Sequence, residues 1–471
     1  MSKARSSGWK VAFVGGGSYR LVPILRAAVA RGRLLDGGEV RLVDLDVARA
    51  EAVGRMIRRT PELAGLDCKV TWGGNMDRAL DGADALYVTM AVGDPLTVGL
   101  SDRASMERGF LSSDQLSATG AFLALTAGPA ILSFARKMEK RCPDAIMLIF
   151  ANPVAVYSGM VNNHTSIRAL GLCGGFGNHR WDLTRLMGRD EYRDEYDVDV
   201  AGINHLSFIL NGTFRGEDLY AVLGRHLTED WRPPRIGGVH RWLAPHIGYA
   251  LRKLAYMYHH FGRIIFSTEG DGMAHFFYEE MFQRSAKGYR RPTLAQLRAG
   301  ARRARDRRAQ ADRDFRSHLD KDLDEGFWSL PLWKNPWFGR DDRDLAVTIL
   351  SALAGMGPQR IVASAVHRGA VAGFKDRTVL EYSQLVDRRG PRPAGRYEIP
   401  DCFHGIIAPL ATHQTLLGDA IATRDPRVLA DALFAYPVQQ NTRGARALFK
   451  DLLTIHKDAI GAEFQRTRDY F

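Results

Sequence analysis

An apolar strand that runs straight into three consecutive glycines, Lys10-Val-Ala-Phe-Val-Gly-Gly-Gly-Ser18, restricts this chain more than any other stretch. Val11 to Val14 read as a buried parallel strand, and Gly15, Gly16 and Gly17 let the backbone turn sharply toward a pyrophosphate that a side chain would repel. Ser18 then opens a helix whose first N–H groups face the anion. The spacing departs from Gly-x-Gly-x-x-Gly, because Arg20 stands at the third fingerprint position. A tight strand-to-helix turn with no ligand is the competing explanation.

The next segment favours the ligand. Glu39-Val-Arg-Leu-Val-Asp44-Leu-Asp46 reads as a second strand ending in a carboxylate, where an acidic residue accepts hydrogen bonds from an adenosine ribose. Asp44 is the ribose candidate and points to NAD over NADP, while Asp46 caps a helix starting near Val47. Further strands are expected at Ala85 to Met90 and at Ala145 to Phe150. This alternation of strand and helix predicts an α/β chain with an N-terminal Rossmann-type, doubly wound parallel sheet. The expected division is an NAD-binding domain over residues 1–155 and a mixed, mostly helical domain for metal, substrate and oligomerisation over 156–471. Within the second domain a strand pair is predicted around Gln359 to Arg368 and Gly373 to Tyr382, and Arg388 to Arg396 reads as a surface loop.

Composition narrows the function classes. A length of 471 residues suits two or three structural units. No apolar run is read as reaching the ~18 to 20 residues of a membrane span, and the N-terminus lacks the apolar core of a signal peptide. A cytoplasmic protein with no membrane partner is therefore expected. Cys68, Cys142, Cys173 and Cys402 are too scattered for a disulfide framework and should be reduced thiols. The net charge of +12 raises the question of nucleic acid. However, the arginines of Arg284 to Arg316 run into Asp312-Arg-Asp and Asp320 to Glu325, and such alternating signs suit a solvent-facing helix. Neither aromatic interleaving nor zinc-finger spacing accompanies them, so no nucleic-acid partner is expected. A positive field could instead draw in an anionic substrate.

In their order and spacing, five motifs resemble glycoside hydrolase family 4, the NAD- and manganese-dependent glycosidases. They are Gly-Gly-Gly-Ser at 15 to 18, Leu42-Val-Asp-Leu-Asp46, Asn152-Pro153, Gly171-Leu-Cys173 and Gly202-Ile-Asn-His205-Leu. Leu380 to Asp387, Gln414 and Ala430 to Pro437 extend the likeness over nearly the whole chain. The resemblance implies a glycosidase that oxidises the sugar at carbon 3, removes the acidified proton at carbon 2, eliminates the aglycone, adds water and returns the hydride. A divalent metal, Mn²⁺ or another, would stabilise the enolate. It implies Gly15, Gly16, Gly17, Ser18, Asp44 and Asn152 at the cofactor, Cys173 and His205 as metal ligands, and Asn152 and Asn204 at the substrate. A thiolate and an imidazole are competent ligands for such an ion. Taken alone, Cys173 would read as a small buried hydrophobe and His205 as a core histidine.

Asp271 is the base the resemblance suggests, in Glu269-Gly-Asp271-Gly, with His275 and Tyr278 as alternatives. A small glycoside is the implied ligand, and a homodimer or homotetramer the implied assembly. Two departures stand out. Gly174 follows the ligand cysteine, and Leu116 occupies the place of the family's candidate general acid, with Asp114 able to substitute by a small shift in register. An NAD-dependent dehydrogenase of a sugar or hydroxy acid, and a basic NAD-sensing regulatory or nucleic-acid-binding protein, are the alternatives.

Overall fold

The computed structural model describes residues 8–19, 21–30, 34–60, 67–91, 93–173, 175–189, 196–235, 244–265, 272, 287–317, 319, 345–436 and 441–471. Six parallel strands form its first half: β1 (Lys10–Val14), β2 (Glu39–Val43), β3 (Lys69–Gly73), β4 (Ala85–Val88), β5 (Ile146–Ile149) and β6 (Arg168–Gly171). Their spatial order is β3-β2-β1-β4-β5-β6, the Rossmann order. β1, β4 and β5 are apolar nearly throughout and buried, as parallel strands covered on both faces must be. The order reverses between β1 and β4, so the crevice beyond the strand ends opens directly above the glycine turn.

Seven more strands extend the same sheet: β7 (Tyr196–Ile203), β8 (Leu206–Phe214), β9 (Glu217–Asp218), β10 (Ile264–Ile265), β11 (Gln359–Val366), β12 (Val379–Asp387) and β13 (Gly390–Pro393). β11 joins β6 antiparallel at Ser364 and Gly171, and the path continues β11-β12-β7-β8-β10. The boundary expected at 155 falls between β5 and β6, inside one continuous sheet.

Four local expectations are corrected. β3 has no counterpart in the sequence pattern, because only Val70 of its five residues is buried and an edge strand shows little apolar periodicity. The strands expected to reach Met90 and Phe150 end at Val88 and Ile149. The second strand of the C-terminal pair starts at Val379, because Gly373 to Thr378 is a turn region in which Thr378 N–H donates to Lys375 O at 2.8 Å. The segment Arg388 to Arg396 contains β13, which pairs with Gln384 to Asp387; its prolines, 391 and 393, are tolerated on this outer strand.

The helix Ala118–Arg141 is long and apolar enough to cross a membrane, contrary to the expectation of no such run. Two thirds of its most apolar window is buried in the fold, against Ile421 and Tyr157 among others. It is a core helix here.

Two buried histidines make the fold acid-sensitive. Ser101 donates its hydroxyl to Thr97 O at 2.9 Å, so it accepts from Nε2–H of His456 at 2.9 Å, and His413 donates Nδ1–H to Ala432 O at 2.7 Å. Burial pushes each imidazole down to about 4. The unfolded chain, with histidines near ~6.5, therefore binds protons that the folded chain refuses. Their contribution to stability is complete above the unfolded value and falls as pH drops toward 4, by up to about 3 kcal/mol per histidine. Urea midpoints measured between pH 7.5 and 4.5 should fall steeply, and more shallowly in His456→Gln.

Candidate active site

The glycine turn exists because three backbones converge on it. Gly15 has φ +76°, and a Cβ there would lie 2.6 Å from Thr89 O beyond β4. At Gly16 a Cβ would lie 2.7 Å from Val43 N at the end of β2. Gly16 N–H donates to Val43 O at 2.9 Å and Gly17 N–H to Asp44 Oδ2 at 2.9 Å. Asp44 Oδ1 accepts from Asp46 N–H at 3.0 Å, and Asp46 caps the helix Val47–Arg58 through Arg49 N–H, also at 3.0 Å. Asp44 thus stands beside the turn with lone pairs to spare for a ribose.

Ser18 does not open the helix. The helix starts at Leu21, and Ser18 lies in the preceding turn, its N–H donated to Gly15 O at 2.9 Å. The N–H groups of Gly16, Gly17 and Ser18 are all engaged internally. Tyr19 anchors an unforeseen contact. Its ring stacks on Phe315 at 4.0 Å beneath the Arg49 guanidinium, and its hydroxyl donates to Asp312. Burial, aided by that carboxylate, pushes the phenol up to about 12. The arginine-rich helix Leu294–Arg316 is largely exposed as expected, but its last turns dock on the glycine turn, and Arg305 pairs with Asp94 at 2.6 Å.

Beyond β5 and β6, paired at Ile149 and Gly171, the chain presents Asn152 and Cys173 on neighbouring strand ends. Cys173 lies just before the helix Gly175–Leu186. His205 sits in the two-residue turn between β7 and β8, in the left-handed region at φ 69°. Sheet pairing brings the two residues together: Cys173 Sγ lies 3.5 Å from His205 Nε2. A Cβ on Gly272 would lie 1.6 Å from His205 O, so this glycine's backbone abuts the turn.

Glu381, on β12, is a fully buried carboxylate that lies in the Leu380 to Asp387 stretch of the resemblance but is not among the candidate site residues. It accepts from Asn204 Nδ2 at 2.8 Å and from Ser207 Oγ at 2.7 Å. Burial pushes its pKa up, against the lowering effect of those two bonds and of His205. A signal for it does exist in the sequence: Glu381, Ser383 and Gln384 interrupt the apolar run Val379 to Val386. Asn204 Oδ1 is buried without a partner.

Asn152 is held from two sides. Its Nδ2 donates to Asp114 Oδ2 at 2.7 Å, and its Oδ1 accepts from Gln115 Nε2 at 2.7 Å. Gln115 Oε1 is buried and unpartnered. Leu116 is buried, whereas Asp114 is exposed. Ser117 caps the helix Ala118–Arg141 through Gly120 N–H at 3.2 Å, fixing this loop. Asp271, His275, Tyr278 and Gly174 lie outside the described residues.

These residues fit a dinucleotide and a metal. The glycine cradle is one that a Cβ would fill, and Asp44 flanks it. The sulfur and imidazole nitrogen form a donor pair suited to a divalent transition ion. No cluster of three His, Cys, Asp or Glu occurs among the described residues.

Comparisons with known proteins agree. The model for family 4 glycosyl hydrolase matches residues 10–187, and that for the C-terminal domain of the family matches 200–438. The chain is 21% identical over 468 residues to a Bacillus subtilis (strain 168) protein named "Probable 6-phospho-beta-glucosidase", spanning 98% of this chain and 99% of that one. It is 23% identical over 466 residues to an alpha-galacturonidase of Thermoanaerobacter italicus (strain DSM 9252 / Ab9), spanning 94% and 96%. Its fold matches that of a 6-phospho-alpha-glucosidase from gut microorganisms, solved in complex with NAD and Mn²⁺, at TM-score 0.77, 17% identity and coverage of 96% and 99%. The chain belongs to family 4 of the glycosyl hydrolases.

Proposed function

We propose that this hydrolase cleaves a small glycoside with NAD as a recycled redox cofactor and a divalent metal such as Mn²⁺. The observation that carries the reading is the Cys173–His205 pair, 3.5 Å apart at the end of the same sheet that carries the glycine turn flanked by Asp44. The nicotinamide supplies reversible oxidation of a sugar hydroxyl, and the metal supplies polarisation of the resulting carbonyl.

The chain's own residues divide the remaining work. Gly15, Gly16, Gly17, the turn at Ser18 and Asp44 hold the dinucleotide. Cys173 and His205 hold the metal. Asn152, its amide fixed by Asp114 and Gln115, binds sugar hydroxyls at the cofactor, and Asn204 Oδ1 accepts from another. Asp271, the base that the family resemblance suggests, takes the proton at carbon 2. Asp114 delivers the proton to the leaving oxygen, because Leu116 is apolar and buried. The relatives above are named for a phosphorylated sugar and for a uronic acid, which supports an anionic glycoside here. A homodimer or homotetramer working in the cytoplasm completes the reading.

The test is a panel of nitrophenyl α- and β-glycosides, including 6-phosphates and uronides, with NAD, Mn²⁺, both or neither under reducing conditions. Release that needs both, without lasting NADH absorbance, is expected. Steady NADH formation from a free sugar or polyol, with no release from any glycoside, would replace hydrolysis with dehydrogenation.

A further inference from the structure

We infer that Glu381 is a positioning residue that holds the metal-binding turn in shape from the neighbouring strand, β12. The inference rests on the reading of Cys173 and His205 as metal ligands. Its basis is one row of paired positions crossing five strands. Gly171 on β6 pairs with Ser364 on β11, Ser364 with Glu381 on β12, Glu381 with Gly202 on β7, and Gly202 with Ser207 on β8. Cys173 lies two residues beyond one end of this row, and Asn204 and His205 begin two residues beyond Gly202. Glu381 is therefore placed between the strand that delivers the sulfur and the hairpin that delivers the imidazole.

Its two hydrogen bonds bracket His205. Asn204 immediately precedes the histidine and Ser207 follows by two residues, and both side chains donate to the one carboxylate. Between them His205 holds φ 69°, a left-handed conformation that is strained for a residue with a Cβ and persists only where its surroundings enforce it. A hairpin free to choose would relax, and Nε2 would swing away from Sγ. Both carboxyl oxygens accept, Oε1 from Asn204 and Oε2 from Ser207, and this sets the orientation of the Asn204 amide: Nδ2 toward Glu381, Oδ1 away from it. A purely structural need would be met more cheaply by an apolar side chain, since a buried carboxylate carries a large desolvation penalty. No Lys or Arg is paired with Glu381 among the described residues.

The experiment compares Glu381→Ala, Glu381→Gln and Ser207→Ala with the wild type. Mn²⁺ dissociation constants of the NAD-loaded proteins come from electron paramagnetic resonance, NAD affinity from fluorescence, and the shape of the turn from metal-free crystal structures. Glu381→Ala should weaken Mn²⁺ binding about 10- to 100-fold with NAD affinity unchanged. Its metal-free structure should show His205 out of the left-handed region and Sγ and Nε2 further apart. Ser207→Ala should give a smaller loss. Glu381→Gln should recover most of the affinity, because its Oε1 still accepts from Asn204; if the alanine variant fails to fold, Ser207→Ala decides the test, and wild-type Mn²⁺ affinity with an unmoved His205 in it would overturn the inference. Wild-type Mn²⁺ affinity in Glu381→Ala, or an unmoved His205 in its metal-free structure, would overturn the inference. A wild type that binds no Mn²⁺ refutes the metal reading instead, and the metal-free structures then still decide whether Glu381 shapes the turn.

Discussion

Cys173→Ser should lower turnover about 10³-fold, equivalent to roughly 4 kcal/mol of transition-state stabilisation, while NAD affinity stays close to wild type. The reason is geometric and chemical. The sulfur lies 3.5 Å from His205 Nε2 and is proposed as a metal donor, and a serine hydroxyl at neutral pH is a weak, neutral replacement for a thiolate. The cofactor cradle is built from other residues: Gly15 against Thr89, Gly16 against Val43, and Asp44 against Gly17. Loss of metal and loss of cofactor are therefore separable. A serine variant with wild-type turnover at limiting Mn²⁺ would remove Cys173 from the metal site. Simultaneous loss of NAD affinity would show that the variant had disturbed the whole crevice.

The residues legible from sequence are those whose roles are settled within a few positions. The glycine turn, the Asp46 cap and the strand that places Asp44 depend on neighbours in the chain, and each is found where the pattern puts it. Ser18 fails narrowly, because three internal hydrogen bonds delay the helix to Leu21 and no local pattern announces them. Cys173 and His205 are identified through family resemblance; nothing in either segment alone predicts that β6, β11, β12 and β7 will bring them together. Glu381 is less accessible still, since its partner Asn204 lies 177 residues away and the bond follows from strand register. The same applies to Tyr19 and Asp312, joined across 293 residues. The expected surface loop at Arg388 to Arg396 misleads for a different reason: proline and glycine mark turns, but on an outer strand they are also compatible with pairing.

Replacing Asp114 separates delivery of a proton from binding of the sugar. In Asp114→Asn the new amide oxygen can still accept from Asn152 Nδ2, so the orientation of Asn152 survives, but no acidic proton is available. Alkyl glycosides, whose leaving oxygen needs a proton, should lose about 10²-fold or more in kcat with little change in KM. Nitrophenyl glycosides, whose leaving anion is already stable in water, should lose far less. Asp114→Ala should show the same contrast and a raised KM as well, because Asn152 then keeps only its bond from Gln115. Restoring a carboxylate at the neighbouring site by Leu116→Glu should not rescue Asp114→Asn. That side chain points into the core, only 3% exposed, and a glutamate there would destabilise the fold instead of reaching the crevice. Equal losses for alkyl and nitrophenyl substrates in Asp114→Asn would make Asp114 a brace for Asn152 alone, and the leaving group would then be protonated from another source.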